Sequence, residues 1–199
     1  MKNKTLLFLV LLFTGVLSTS SQLRYGFRFG GDFAASRLKN VPGYSIKNGS
    51  GFAGGLMLEY QFEKFGFAPD IAVTYGRHNS RLKPKEGEPF SYGRNFIDIP
   101  IRLKYKFWLK STKDLFAPMI YTGPVFSCRL GHEKEEILQT KGFQPGWDVG
   151  VGFDAINFIQ ITAGYRFGLG NAVKNFADVP DAVLKTDGWN LSVNIIFDF

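Results

Sequence analysis

Cysteine and histidine are nearly absent: Cys128, His78 and His132 are the whole supply in 199 residues. One thiol cannot close a disulfide within the chain, and two isolated histidines among scattered carboxylates have no metal-ligand spacing. Neither a metal nor any other cofactor is expected. Beyond residue 21 there is no run of about 18 apolar residues, which excludes spanning helices. Nucleic-acid motifs are missing, and a formal charge of +7 is too modest to read as a nucleic-acid patch, so no such partner is expected. Disorder is excluded in turn, because 45% of the residues are hydrophobic and give the chain ample surface to bury.

Aromatics and glycine are what the chain has in plenty. Phe, Tyr and Trp make up 16% of it and glycine supplies 23 residues, yet the mean hydropathy is only −0.05. The length suits one domain. At the start, Lys2 and Lys4 precede an almost wholly apolar stretch at 6–17, followed by Ser18, Thr19, Ser20 and Ser21. This is the pattern of a cleavable export signal, expected to span 1–21 with the cut near Ser21 and Gln22. No cysteine follows the apolar stretch, which excludes lipoprotein processing. Removing 1–21 takes away two lysines and no acid, so +7 becomes +5.

From residue 22 onward the chain repeats with period two. Leu23, Tyr25, Phe27, Phe29 and Phe33 alternate with Arg24, Gly26, Arg28, Gly30 and Asp32. The same split returns over 52–63, 65–75, 97–107, 147–154, 159–167 and 189–199, and less cleanly over 115–128, where Pro118 and Pro124 interrupt it. Period two means strands, about eight of them. Their connections alternate between short, as at Glu63 and Lys64, and long, polar and rich in Gly, Lys, Asn and Pro, at 35–51, 77–95, 129–145 and 170–187. That alternation predicts an all-β fold: an eight-stranded antiparallel up-and-down transmembrane barrel over 22–199, with tight turns in the periplasm and long loops outside. Strands of about 9 to 11 residues cross the hydrocarbon layer when tilted. Aromatics at the strand ends predict two interfacial girdles: Phe62, Phe65, Phe107, Trp108, Phe158, Phe197 and Phe199 on the periplasmic side, and Phe33, Phe52, Tyr75, Trp147, Phe167 and Trp189 on the outer side. A secreted soluble barrel would bury the apolar face instead. It fits less well, because four long loops are unusual in a small soluble barrel and the other face holds mostly Gly, Ala, Thr and charges of both signs.

The stretch Ile97-Asp98-Ile99-Pro100-Ile101-Arg102-Leu103-Lys104-Tyr105-Lys106-Phe107 resembles a strand of the PorT-like outer-membrane β-barrel proteins of Bacteroidetes. Gly123-Pro124, Gly150-Val151-Gly152, the run from Tyr165 to Asn171, and Phe197-Asp198-Phe199 support the likeness. The resemblance implies a small outer-membrane barrel, and by its namesake branch an accessory role beside subunits of the type IX secretion complex. Pro100 cannot donate to a ladder and is expected at a bulge.

Four groups of residues are candidates for function. Phe199, Phe197 and Ile195 resemble a terminal signal for the barrel-assembly machinery, since a last strand with one aromatic face can add to an open seam by backbone pairing; they also fit a plain lipid face. Arg24, Arg28, Asp32, Glu59, Asp70, Asp98, Arg102, Lys104, Asp148, Asp154 and Arg166 fall on the lumen side. They form either a solute path or, as a narrow barrel favours, a plug of ion pairs. Arg77, Arg81, Lys83, Lys85 and Arg94 lie in the second long loop, where lipopolysaccharide phosphates would meet them; a solvated loop fits equally well. His78 with Ser80 would suit an outer-leaflet lipid hydrolase, but no orienting carboxylate stands at fixed spacing. The leading expectation is a non-enzymatic structural or surface-interaction barrel among outer-membrane lipids. Deleting Phe199 is expected to lower the outer-membrane fraction of the protein several-fold; unchanged insertion in fractionated cells would refute the signal role.

Overall fold

Successive side chains of an extended chain point to opposite sides of a sheet, so each period-two segment presents one apolar and one polar face. The computed structural model describes residues 21–34, 37–39, 41, 44–47, 49–62, 65–84, 90–107, 116–131, 138–156, 158–176 and 182–198. Its strands are β1 (Ser21–Ala34), β2 (Arg37–Lys39), β3 (Tyr44–Lys47), β4 (Ser50–Phe62), β5 (Phe67–Pro84), β6 (Phe90–Lys106), β7 (Phe116–Leu130), β8 (Leu138–Thr140), β9 (Phe143–Ala155), β10 (Ile159–Gly168), β11 (Val173–Phe176), β12 (Val183–Lys185) and β13 (Gly188–Asp198). The eight longest pair antiparallel in the order β1-β4-β5-β6-β7-β9-β10-β13, and β13 returns to β1. The sheet is a closed eight-stranded barrel. Its closing ladder runs without slip from Arg24 opposite Asp198 to Ala34 opposite Gly188.

Burial is inverted relative to a water-soluble barrel. Phe27, Leu56 and Val151 are 46%, 62% and 60% exposed, while Glu59, Lys104 and Asp148 are at 0%. The apolar residues make an outer skin and the polar ones fill the centre. Within the skin, Trp147 donates its indole N–H to Thr122 Oγ1 at 2.8 Å, which satisfies a hydroxyl that faces outward. Aromatics gather at both strand ends. Phe67 and Tyr105 lie 5.1 Å apart and Phe116 and Phe153 5.1 Å apart at the short-turn end, and Tyr165 meets Trp189 at 5.0 Å toward the long-connection end. Trp108 and Phe199, expected in the same belts, lie outside the described residues.

Several local expectations are corrected. The third strand begins at Phe67, two residues later than the pattern suggested, because Phe65 and Gly66 form the turn: both N–H groups donate to Phe62 O, and Gly66 has φ 73°. A left-handed residue there is natural for glycine. Pro100 makes no bulge. Asp70 and Ile71 oppose Arg102 and Ile101, Thr74 opposes Asp98 in the same register, and pairing lapses only across from Pro100 and Ile99. The missing N–H removes ladder bonding locally without inserting a residue. Long connections expected as irregular also contain strand. β5 and β6 continue as a hairpin out to Leu82 opposite Phe90, β3 adds to it, and β2–β12 and β8–β11 form two further pairs. Main-chain groups above the barrel are paired in this way instead of being left to water.

Two glycines shape the interior directly. A Cβ on Gly150 or on Gly164 would run into the Tyr121 ring and hydroxyl as well as a neighbouring strand's carbonyl, so both positions are hollowed to admit Tyr121. Gly150→Val or Gly164→Val is expected to cost about 1–3 kcal/mol or more by overpacking. Gly170→Ala, with nothing within 4 Å of the added carbon, should be neutral. Urea midpoints of the refolded barrel in detergent check the contrast.

Candidate functional site

An eight-stranded barrel encloses only enough room for side chains, so whatever faces inward must pack and find partners. Toward the turn end the centre is Glu59 on β4. It accepts from Lys106 Nζ at 2.5 Å, Lys104 Nζ at 2.5 Å and Arg24 Nη1 at 3.3 Å. Asp154 on β9 receives Lys106 Nζ at 2.7 Å and Arg24 Nη1 at 3.2 Å, and Gln160 donates to it at 2.7 Å. Lys104 also pairs with Asp70, which Arg28 Nη2 reaches at 3.1 Å. Arg28 Nε donates to Asn194 at 3.1 Å, and Asn194 donates onward to Gln160 at 2.8 Å. At the rim Arg24 Nε meets Asp198 at 2.7 Å across the closing seam.

A second cluster lies nearer the long connections. Arg102 Nη2 donates to Asp148 at 2.7 Å, and Arg166 bridges Asp148 and Asp98, each at 3.0 Å. The Arg102 guanidinium sits 4.7 Å over the Tyr121 ring, whose hydroxyl donates to Asn190 Oδ1 at 3.1 Å. His78 Nε2 stands 3.8 Å from both Asp32 and Asp98, edge-on to Phe96 at 5.2 Å. Above it opens a cup of about 80 Å³ lined by Asp32, His78, Arg94, Phe96, Arg166 and Trp189, among others. Among the described residues, five buried cations (Arg24, Arg28, Arg102, Lys104, Lys106) face five buried carboxylates (Glu59, Asp70, Asp98, Asp148, Asp154). The sealed charge is balanced, which is the condition under which such groups are tolerated away from water.

The structure thus places the expected lumen residues inside the barrel and divides them between these two clusters, with Asp32 and Arg166 at the mouth on the long-connection side. Lys106, Gln61, Gln160, Asn194 and Tyr121, which sequence reasoning did not single out, are equally part of the interior. Strict parity along each strand would have found them. His78, expected in a long loop with no orienting carboxylate at fixed spacing, is half-buried beside two carboxylates, so an orienting acid exists that spacing alone did not reveal. Of the basic loop residues, Arg77 and Lys83 are exposed on the β5 extension and Arg94 borders the cup. Arg81 lies in register opposite Lys47 and Ser91. Lys85 and His132 lie outside the described residues, as does Phe199; Phe197 and Ile195 are on the outer face of β13. Cys128 is a free thiol on β7, half-buried.

Residues 17–174 match the family model described as outer membrane protein beta-barrel domain. Among solved structures, the outer membrane protein OprG from Pseudomonas aeruginosa is similar at 10% identity and TM-score 0.63, over 91% of this chain and 97% of that one. Neisserial surface protein A follows at 15% identity and TM-score 0.49, over 87% and 97%. No curated protein matches the chain. Likeness at such identities concerns the fold.

Glu59 is held by three cations with its side chain fully buried. Glu59→Leu leaves those cations short of a partner deep inside, and breaking a buried pair in this way typically costs about 3–5 kcal/mol. Urea unfolding of the purified barrel should show a loss of this size, whereas Asp198→Asn at the half-exposed rim should cost far less.

Proposed function

The chain belongs to the outer membrane protein beta-barrel domain family, and from that premise we propose a non-enzymatic surface-interaction role for a barrel whose lumen is plugged by ion pairs. It is a small outer-membrane β-barrel protein, integral to that membrane. The proposed topology has an N-terminal signal peptide over 1–21, both termini in the periplasm and the long connections outside. The last strand, through Ile195, Phe197 and Phe199, serves in this reading as the signal to the barrel-assembly machinery.

One observation carries the proposal. Glu59, Lys104, Lys106, Gln160 and Asn194 are buried to 0% or 1% exposure across the lumen toward its turn end and bonded to one another or through shared partners. Such a cross-section offers a solute no continuous wet path. The chemistry then lies at the long-connection end, where Arg77 and Lys83 project from a hairpin above the apolar skin. With Arg81, Lys85 and Arg94 these cations suit the phosphates of surrounding lipopolysaccharide through charge-assisted hydrogen bonds. A PorT-like place in a secretion complex rests on the strand motif alone, and the outer-leaflet enzyme reading rests on His78 and the two carboxylates beside it.

In planar bilayers the purified protein is expected to show no steady large conductance, and a stable open level well above baseline would overturn the plug. In lipopolysaccharide-binding titrations, the pair Arg77→Glu and Lys83→Glu should weaken affinity by about fivefold or more per cation lost at low salt. The difference should shrink as salt screens the charges.

A further inference from the structure

Between the two interior clusters lies a cavity of about 30 Å³ bordered by Arg28, Asp32, Asp98, Arg102, Arg166 and Asn190. Three cations and two carboxylates thus face one small space. Arg28 already uses Nε and Nη2, Arg102 uses Nη2, and Asn190 uses its oxygen. Their other nitrogens, Arg28 Nη1, Arg102 Nε and Nη1, and Asn190 Nδ2, are buried and have no partner in the protein. On the acceptor side of this cavity only Asp98 Oδ1 is likewise unpartnered. Four buried, unpartnered donor nitrogens therefore belong to three residues that border this space, against one buried acceptor left unpartnered there.

We propose that this cavity is a binding site for a monatomic anion, chloride under ordinary conditions, held between Arg28 and Arg102 with Asn190 as the neutral third donor. The reasons are the surplus of donors and the size of the space. Buried donors in folded proteins are almost always paired, with protein, water or an ion. Two waters, which a space of this size can hold, would accept four hydrogen bonds but bring four protons to place where few acceptors are free, whereas a spherical anion accepts from every direction and has none to place. Asp70 and Asp148, which bond Arg28 and Arg102 from outside the cavity lining, already balance their charge, so the anion is held by directed N–H donors and not by a net positive charge. A cavity needs about 10–15 Å³ of this kind of volume to hold one water, so about 30 Å³ admits one halide ion but not a tetrahedral oxyanion or an organic carboxylate. The anion would fasten β1 and β6, on opposite sides of the lumen, to β13, and so join the two clusters into one plug.

Two measurements on the folded full-length barrel in detergent test this. Crystals grown in sodium bromide should show an anomalous difference peak between the Arg28 and Arg102 guanidinium groups. Unfolding in urea at fixed ionic strength should depend on chloride and bromide saturably, but not on gluconate. Mass action sets the scale: the unfolding equilibrium constant falls about tenfold at a halide concentration about nine times its dissociation constant. Asn190→Leu, which deletes one donor and occupies the space, should lose most of that halide dependence while retaining the barrel. Failure of this variant to fold leaves the bromide experiment on the unaltered protein to decide. Density without anomalous signal, together with equal stability in chloride and gluconate, means water alone fills the cavity and overturns the proposal.

Discussion

A sheet in hydrocarbon cannot keep an edge, because each unpaired backbone N–H or C=O there costs several kcal/mol. Everything else in this molecule depends on how β1 meets β13. Eleven consecutive residues of β1, from Arg24 to Ala34, find partners on β13, and Arg24 adds a side-chain bond to Asp198 at the rim. Closure by eight strands sets the bore, and the bore is too narrow for anything but side chains. The interior must therefore be solved as a packing problem whose pieces are charged.

Its solution joins strands that the backbone ladders keep apart. Glu59 on β4 collects Lys104 and Lys106 from β6 as well as Arg24 from its ladder neighbour β1, and Asp154 on β9 shares two of these cations. Buried ion pairs are weak contributors to net stability, since desolvation offsets much of the attraction. Their value here lies in register. A slip of one residue in any strand would turn its charges into lipid and its aromatics into the lumen, so the cross-lumen pairs act against every alternative pairing at once. The same arrangement explains Gly150 and Gly164, which make room for Tyr121 to reach Asn190 and to lie against Arg102.

Much of the fold could be read from periodicity, because parity in a strand is a property of each residue alone. Phe27 and Arg28 go to opposite faces whatever their neighbours do. Where neighbours decide, reading failed. Pro100 looked like a bulge, but its strand keeps one register on each side and only forgoes pairing locally, at Ile99 and Pro100 toward β5 and at Ile101 and Arg102 toward β7. Residues 77–84 and 90–95 looked like loop because their alternation is polar on both sides, yet they pair as a hairpin above the skin. His78 had no visible partner in sequence, since Asp32 and Asp98 come from β1 and β6, 46 and 20 positions away in the chain.

The sequence by itself determined the class of structure: eight alternating segments, an inverted apolar face and alternating short and long connections admit little but a barrel in lipid. It also determined which residues face inward, and with them the balance of buried charge. Only the tertiary structure decided which cation meets which carboxylate, where Tyr121 fits, and that three residues bordering one small cavity are left with four unpartnered donor nitrogens. The physical reason is that facing is local, fixed by the twofold repeat of an extended chain, whereas pairing across a lumen depends on strand order, stagger and closure together.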